Sequence, residues 1–171
     1  MSRDIVEALL SEFDQEIAGT RKILECVPED KFAWKPHEKS STLGKLSSHV
    51  AAIPRLPAFV INRQIPQPSQ AASKVELLAT FDSNSAAGRE ALAGTSDDHL
   101  AATIPASPGV VKTRLYVLRF RVLNHLIHHR GQLIVYLRLL DVPVPRMYGP
   151  SAGSKNRPSD GTNRRFFMKL R

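Results

Sequence analysis

Apolar residues recur at three- and four-residue steps in four stretches of the chain. In the first, from about Arg3 to Cys26, Ile5, Val6, Leu9, Leu10, Phe13, Ile17 and Leu24 form one side and acids occupy the other. That spacing predicts an amphipathic helix ending before Pro28. The next residues, PEDKFAWKPHEKS, carry two prolines and read as a turn-rich connection. A second helix is predicted to open at Ser41 or Thr42, since either hydroxyl can cap a first turn. Its stripe is Leu43, Leu46, His49, Val50 and Ile53. Pro54 and Pro57 then predict a kink or interruption, because each lacks an N–H and its ring crowds the preceding turn. Helix is expected to resume through Phe59 and Val60, and residues 61–73, INRQIPQPSQAAS, read as a loop.

Ser73 followed by Glu76 has the capping-box spacing and announces a third helix. Leu77, Leu78, Phe81 and Leu92 are its buried face and Gly94 its exit. Thr95 to Lys112, with Pro105, Pro108 and Gly109, shows no period and is expected to be irregular. The fourth helix, Thr113 to about Asp141, has Leu115, Leu118, Val122, His125, His129, Leu133, Tyr136, Leu137 and Leu140 on one stripe. About 28 residues rising 1.5 Å each reach ~40 Å, the length of a bundle. Four helices without strand alternation or internal repeat predict an all-α protein, an antiparallel four-helix bundle.

At 171 residues, the chain is long enough to build a core without disulfides or structural metal. Cys26 is the only cysteine, so no internal disulfide forms, and it reads as a small core or helix-end residue. No run of 18 apolar residues offers a membrane span. The N-terminal stretch carries acids within its apolar pattern and no small-residue cleavage site, unlike a secretory signal. A cytoplasmic protein is expected.

The formal net charge is +8, which raises a nucleic-acid reading until its location is considered. Residues 155–171 hold six bases (Lys155, Arg157, Arg164, Arg165, Lys169, Arg171) against one acid, Asp160, a net of +5. Residues 1–154 keep 18 bases and 15 acids, a net of +3. The excess therefore belongs mainly to the end of the chain.

The histidines carry the most specific chemistry. His125 and His129 are four residues apart, about 40° around a helix and ~6 Å along it, so both rings can converge on one point. His128 falls with Arg121, Asn124 and Gly131 on a polar series and is expected to face solvent or an interface. His49 is the only histidine on another helix's apolar stripe, so a triad across two helices fits the spacing. Spacing alone leaves a metal-binding triad and a set of hydrogen-bonded core histidines equally open. Burying three imidazoles without a metal costs ~1–3 kcal/mol for each polar atom left unsatisfied.

Two segments resemble the DinB superfamily: WKPHEKSSTLGKLSSHV, residues 34–50, and NHLIHHRGQLIVYLRLLDVPVPRMYGPS, residues 124–151. The second carries a histidine, three residues, His-Arg-Gly-Gln-Leu, and an exit through Val-Pro and Tyr-Gly-Pro-Ser. In order and spacing the resemblance covers about residues 3–152. It implies a four-helix bundle connected up-down-down-up, a homodimer, and one divalent metal ion held by three histidines, which fall on His49, His125 and His129. Members often place an acid after the Thr-Leu-Gly that opens the second helix; this chain has Lys45 there.

Such a site, with a coordination position open, can acidify a bound water or thiol. Zinc, nickel and iron all suit imidazole ligands. The resemblance implies metal-dependent transfer using a low-molecular-weight thiol, or hydrolysis, on a small-molecule substrate. Trp34, His37, Arg130 and Tyr148 are candidate pocket or supporting residues. Arg130, about 100° around the helix from His129, fits an ion pair or a dimer contact better than catalysis. Competing readings are a nucleic-acid or anionic-partner binding module, which the charge distribution disfavours, and a non-catalytic protein stabilised by its metal. Residues 1–152 are read as the metal-binding domain and residues 153–171 as a basic C-terminal tail, disordered or outside the domain.

Overall fold

A computed structural model describes residues 3–65 and 70–149. The domain boundary expected at residue 152 and the basic tail 153–171 lie outside them. The described chain is mostly helical. The first long helix, α1, spans Asp4–Glu25. Its N-terminal amides find their acceptor far along the chain: the Asp97 carboxylate accepts from Ile5 N–H at 3.3 Å and from Val6 N–H at 3.0 Å. A 3-10 turn at Glu29–Lys31 lies in the connection to α2, Leu43–Ala52. Of the two expected caps for α2, Thr42 serves, its hydroxyl accepting from Lys45 N–H at 3.3 Å.

The prolines act as expected. α2 gives way to a 3-10 turn at Ile53–Arg55 around Pro54, and helix resumes as α3, Leu56–Asn62, with Pro57 in its first turn, where a missing N–H costs nothing. Arg63, left-handed at φ 58°, closes α3. α4, Lys74–Ala93, opens on Ser73, whose hydroxyl accepts from Glu76 N–H at 3.1 Å. The Glu76 carboxylate reaches back to Ala72 N–H, one residue before the position a capping box would use.

Residues 95–112, expected to be irregular, hold a short helix and most of a two-stranded hairpin. α5, Asp97–Ala101, is capped by Ser96. β1, Thr103–Ser107, and β2, Val110–Thr113, form an antiparallel hairpin in the register Thr103 to Thr113 and Ile104 to Lys112, with a bulge between Pro105 and Ser107. Gly109, at φ 73°, supplies the left-handed turn residue. The strands are too short, and too broken by Pro105, for a period of two to show. This hairpin departs from the all-α expectation.

α4 packs on α1, α2 and α3, and the last long helix packs on α1 and α2. Leu9, Phe13, Val50, Leu77, Phe81, Leu118, Leu133 and Leu137 lie in one buried cluster between them. At Gly88 of α4 an added Cβ would lie 1.9 Å from the Pro54 carbonyl oxygen. Backbone approaches backbone there, which only glycine permits.

The last helix is continuous but not uniform. An α-helical part, α6, Arg114–Leu118, passes through a π-helical turn, Arg119–Asn124, into α7, His125–Leu139. A π turn inserts one residue, advancing every later side chain by about 100° relative to a straight helix. A uniform helix carrying Leu118 and Val122 inward would carry His125 and His129 inward next. The observed buried positions are Val117, Leu118, Val122, Leu123, Leu126, Arg130, Leu133 and Leu137. After the π turn Leu126 and Arg130 take the buried places expected for His125 and His129, which sit at the edge of the core, while Leu133 and Leu137 of the expected stripe stay buried.

Candidate metal centre and the adjoining cavity

At this edge His125 and His129 of α7 stand beside His49 of α2. Ligand-type atoms from the three rings all lie within 4.8 Å of one another. His49 Nε2 and His125 Nε2 are 3.1 Å apart, and the ring centroids are 4.5–5.0 Å apart. His49 is exposed and the other two are half-buried, so the cluster lies open to solvent at one side rather than within the core.

Neighbouring groups orient two of the rings. His125 Nδ1 is 3.3 Å from the Arg121 carbonyl oxygen and His129 Nδ1 is 2.7 Å from Gln132 Oε1. Both partners are acceptors, so each ring carries its proton on Nδ1 and presents a lone pair at Nε2. The His125 backbone N–H bonds to the Val122 carbonyl where the π turn ends. Desolvation of the partly covered ring, followed by the neighbouring His129 and His125, lowers the pKa of His49. Burial also leads in lowering His125, followed by His129, with the bond to the Arg121 carbonyl opposing.

Three neutral imidazoles fit a borderline divalent ion. Tetrahedral Zn–N bonds of about 2.0–2.1 Å place ligand nitrogens roughly 3.4 Å apart, close to the 3.1 Å between His49 and His125. Acceptors on the outward ring nitrogens are the usual companions of metal-binding histidines.

The other sequence candidates stand apart from the triad. Trp34 meets Tyr136 edge to face, at 5.8 Å between centroids and 86° between planes, pinning the connection before α2 onto α7. His37 is exposed and accepts from Lys39 N–H at 3.1 Å. Arg130, only 1% exposed, faces α1. Its Nη2 donates to Glu16 Oε2 at 2.7 Å and its Nη1 to Thr20 Oγ1 at 3.0 Å. The Tyr148 hydroxyl also donates to Glu16 Oε2, at 2.6 Å, and contacts Arg130. Burial and the bond to Glu16 raise the Tyr148 pKa. This network fastens α7 to α1 on the side away from the histidines.

Beside His125 lies an open cavity of about 1040 Å3 that the sequence did not reveal. α3 and the residues after it supply Phe59, Val60, Arg63 and Ile65; the hairpin supplies Ile104; the last helix supplies Arg114, Phe120, Arg121 and His128. Trp34, His37, Arg130 and Tyr148 do not line it. Its available signal was residual: Phe59, Ile65 and Phe120 are large apolar residues that no helical stripe uses, and all three are exposed.

The chain matches the family model of the DinB superfamily over residues 12–133. No curated protein matches it. Among solved structures it is similar to a DinB-like protein from Bacillus cereus, with a TM-score of 0.72 and 24% identity, covering 83% of this chain and 97% of that one. A DinB-like protein from Bacillus subtilis gives a TM-score of 0.67 at 20% identity, covering 82% and 96%. These likenesses reproduce the fold, and the family model spans most of the chain, histidine triad included: the chain belongs to the DinB superfamily.

Proposed function

We propose that the protein is a metal-dependent enzyme in which His49, His125 and His129 hold one divalent ion, zinc, nickel or iron. Its reaction is transfer dependent on a low-molecular-weight thiol, or hydrolysis, on a small-molecule substrate. The reading includes an up-down-down-up bundle, a homodimer and a cytoplasmic location. The observation that carries it is the convergence of three imidazoles from two helices, two of them with Nδ1 engaged by acceptors.

When bound, such an ion supplies Lewis acidity toward a water or thiol. The chain's own residues do the rest. The Arg121 carbonyl and Gln132 hold His125 and His129 in the tautomer that offers Nε2. The exposure of His49 keeps one side of the cluster open for substrate. The buried Arg130–Glu16 pair fixes the helix that carries two of the three ligands. Three neutral ligands leave the ion's charge uncompensated, which favours an anionic partner such as a thiolate.

Elemental analysis of protein purified without chelator tests the reading. We expect about one divalent ion per chain, lost in His49→Ala, and turnover of a thiol with an electrophile, or of a hydrolysable ester, by the loaded form. Wild-type protein that neither carries nor takes up metal would contradict it.

A further inference from the structure

The cavity beside His125 has a one-sided charge. Its lining includes Arg63, Arg114 and Arg121 and neither Asp nor Glu. Four arginines elsewhere meet carboxylates, Arg21 with Asp82, Arg89 with Asp14, Arg119 with Glu12 and Arg130 with Glu16, while Arg3 bonds to backbone carbonyls. None of the three cavity arginines has such a partner among the described residues. Arg114 gives one N–H to the His99 carbonyl at 3.3 Å and Arg121 gives one to the Ala106 carbonyl at 2.9 Å. Each guanidinium carries five donors, and Arg114 Nε is buried without a partner. The Arg63 side chain makes no hydrogen bond among the described residues.

Apart from Asn124, His125 and His128 toward the metal centre, the rest of the lining is apolar, with two aromatic rings open to solvent: Phe59 is 46% and Phe120 58% exposed. Small-molecule sites combine apolar walls with a few polar groups that orient the ligand. Arginine forks match the paired oxygens of carboxylates and phosphates.

We infer that this cavity receives an amphipathic oxyanion, a small molecule whose aryl or alkyl body lies against Phe59 and Phe120 and whose carboxylate or phosphate head meets the guanidiniums of Arg63, Arg114 and Arg121. The inference deepens the proposed function, placing this substrate beside the metal, and rests on that reading for the chemistry that follows binding. Binding itself does not require it.

Titration calorimetry of the full chain, zinc-loaded and chelator-treated, with octanoate, octyl phosphate and 1-octanol tests the assignment. At least one anion is expected to bind about tenfold more tightly than the alcohol, since a charge-assisted bond contributes roughly 1.5–3 kcal/mol. Whichever anion binds more tightly identifies the head group. Arg63→Gln and Arg121→Gln should each weaken anion binding about tenfold and leave the alcohol unaffected. Arg63→Gln, which removes no bond from the fold, should keep its metal. Equal affinity for anion and alcohol, or anion binding insensitive to both substitutions, overturns the oxyanion assignment. Failure of all three probes to bind overturns the cavity as a ligand site, and dissociation of a dimer by Phe120→Asp would then give the face to a second copy. A chain that holds no metal yet binds octanoate through Arg63 contradicts the proposed function and keeps this inference, so the two fail separately.

Discussion

The chemistry rests on which atom of each imidazole faces inward. His125 and His129 donate outward from Nδ1, and burial helps hold His49 and His125 neutral. Metal and protons compete for the same nitrogens, so metal is expected to stay bound at pH 7 and to leave as pH falls below the ordinary imidazole range of ~6.5. Dialysis at stepped pH followed by elemental analysis measures this. In the metal-free protein the unfolded chain takes up protons first, because the folded pKa values are lowered; stability present above pH ~6.5 is therefore lost on acidification. The buried pair predicts a separate effect. Arg130→Ala strands the Glu16 carboxylate in the core and should cost about 3–5 kcal/mol in denaturant melts. Replacing both, with Glu16→Leu and Arg130→Met, should recover much of that loss. The histidines were legible in the sequence because their spacing and the family resemblance agree. Gln132 was not, because an exposed glutamine three residues from a ligand looks like any helix-surface residue.

Among the elements, the π turn has the largest consequence. The three- and four-residue rhythm of the last helix identified its existence and approximate limits. Leu118, Val122, Leu133 and Leu137 are buried as expected, but His125 and His129 lie further out, because extrapolating a uniform 100° step across residues 119–124 omits the inserted residue. The buried positions Leu126 and Arg130 show the displacement directly. Deleting Phe120 should convert the π turn to α-helix and rotate the two halves of the helix against each other by about 100°. We expect helical content by circular dichroism to change little while metal binding is lost; full metal occupancy in the deletion would contradict this account of the turn. Proline and cap signals placed α2, α3 and α4 well, since they act through local backbone chemistry. The hairpin escaped because its strands, four and five residues long, are held by tertiary bonds such as Arg121 to Ala106 as well as by their own pairing.

For the whole molecule, one cluster ties together helices distant in sequence. His49 lies 76 residues before His125, so an ion bound between them crosslinks α2 to α7, while Arg130 and Glu16 join α7 to α1. Chelation should therefore lower the melting temperature, with a stabilisation of about 2.7 kcal/mol lost if metal had been present at a hundredfold excess over its Kd. His49→Ala should melt at the same temperature with or without chelator. No helix among the described residues is long and apolar enough to cross a membrane, and the net charge of +8 is concentrated beyond the family match. Within the described residues a local concentration of positive charge lies in the three arginines lining the cavity.

Whether three imidazoles bind one ion is read out most directly by X-ray absorption at the zinc edge of protein loaded with one equivalent. Three imidazole nitrogens at about 2.0–2.1 Å are expected, with a fourth, water-oxygen ligand replaced by thiolate sulfur on adding thiol, and one imidazole fewer in His49→Ala. Six oxygen ligands, or a spectrum unchanged by His49→Ala, would contradict the three-imidazole site.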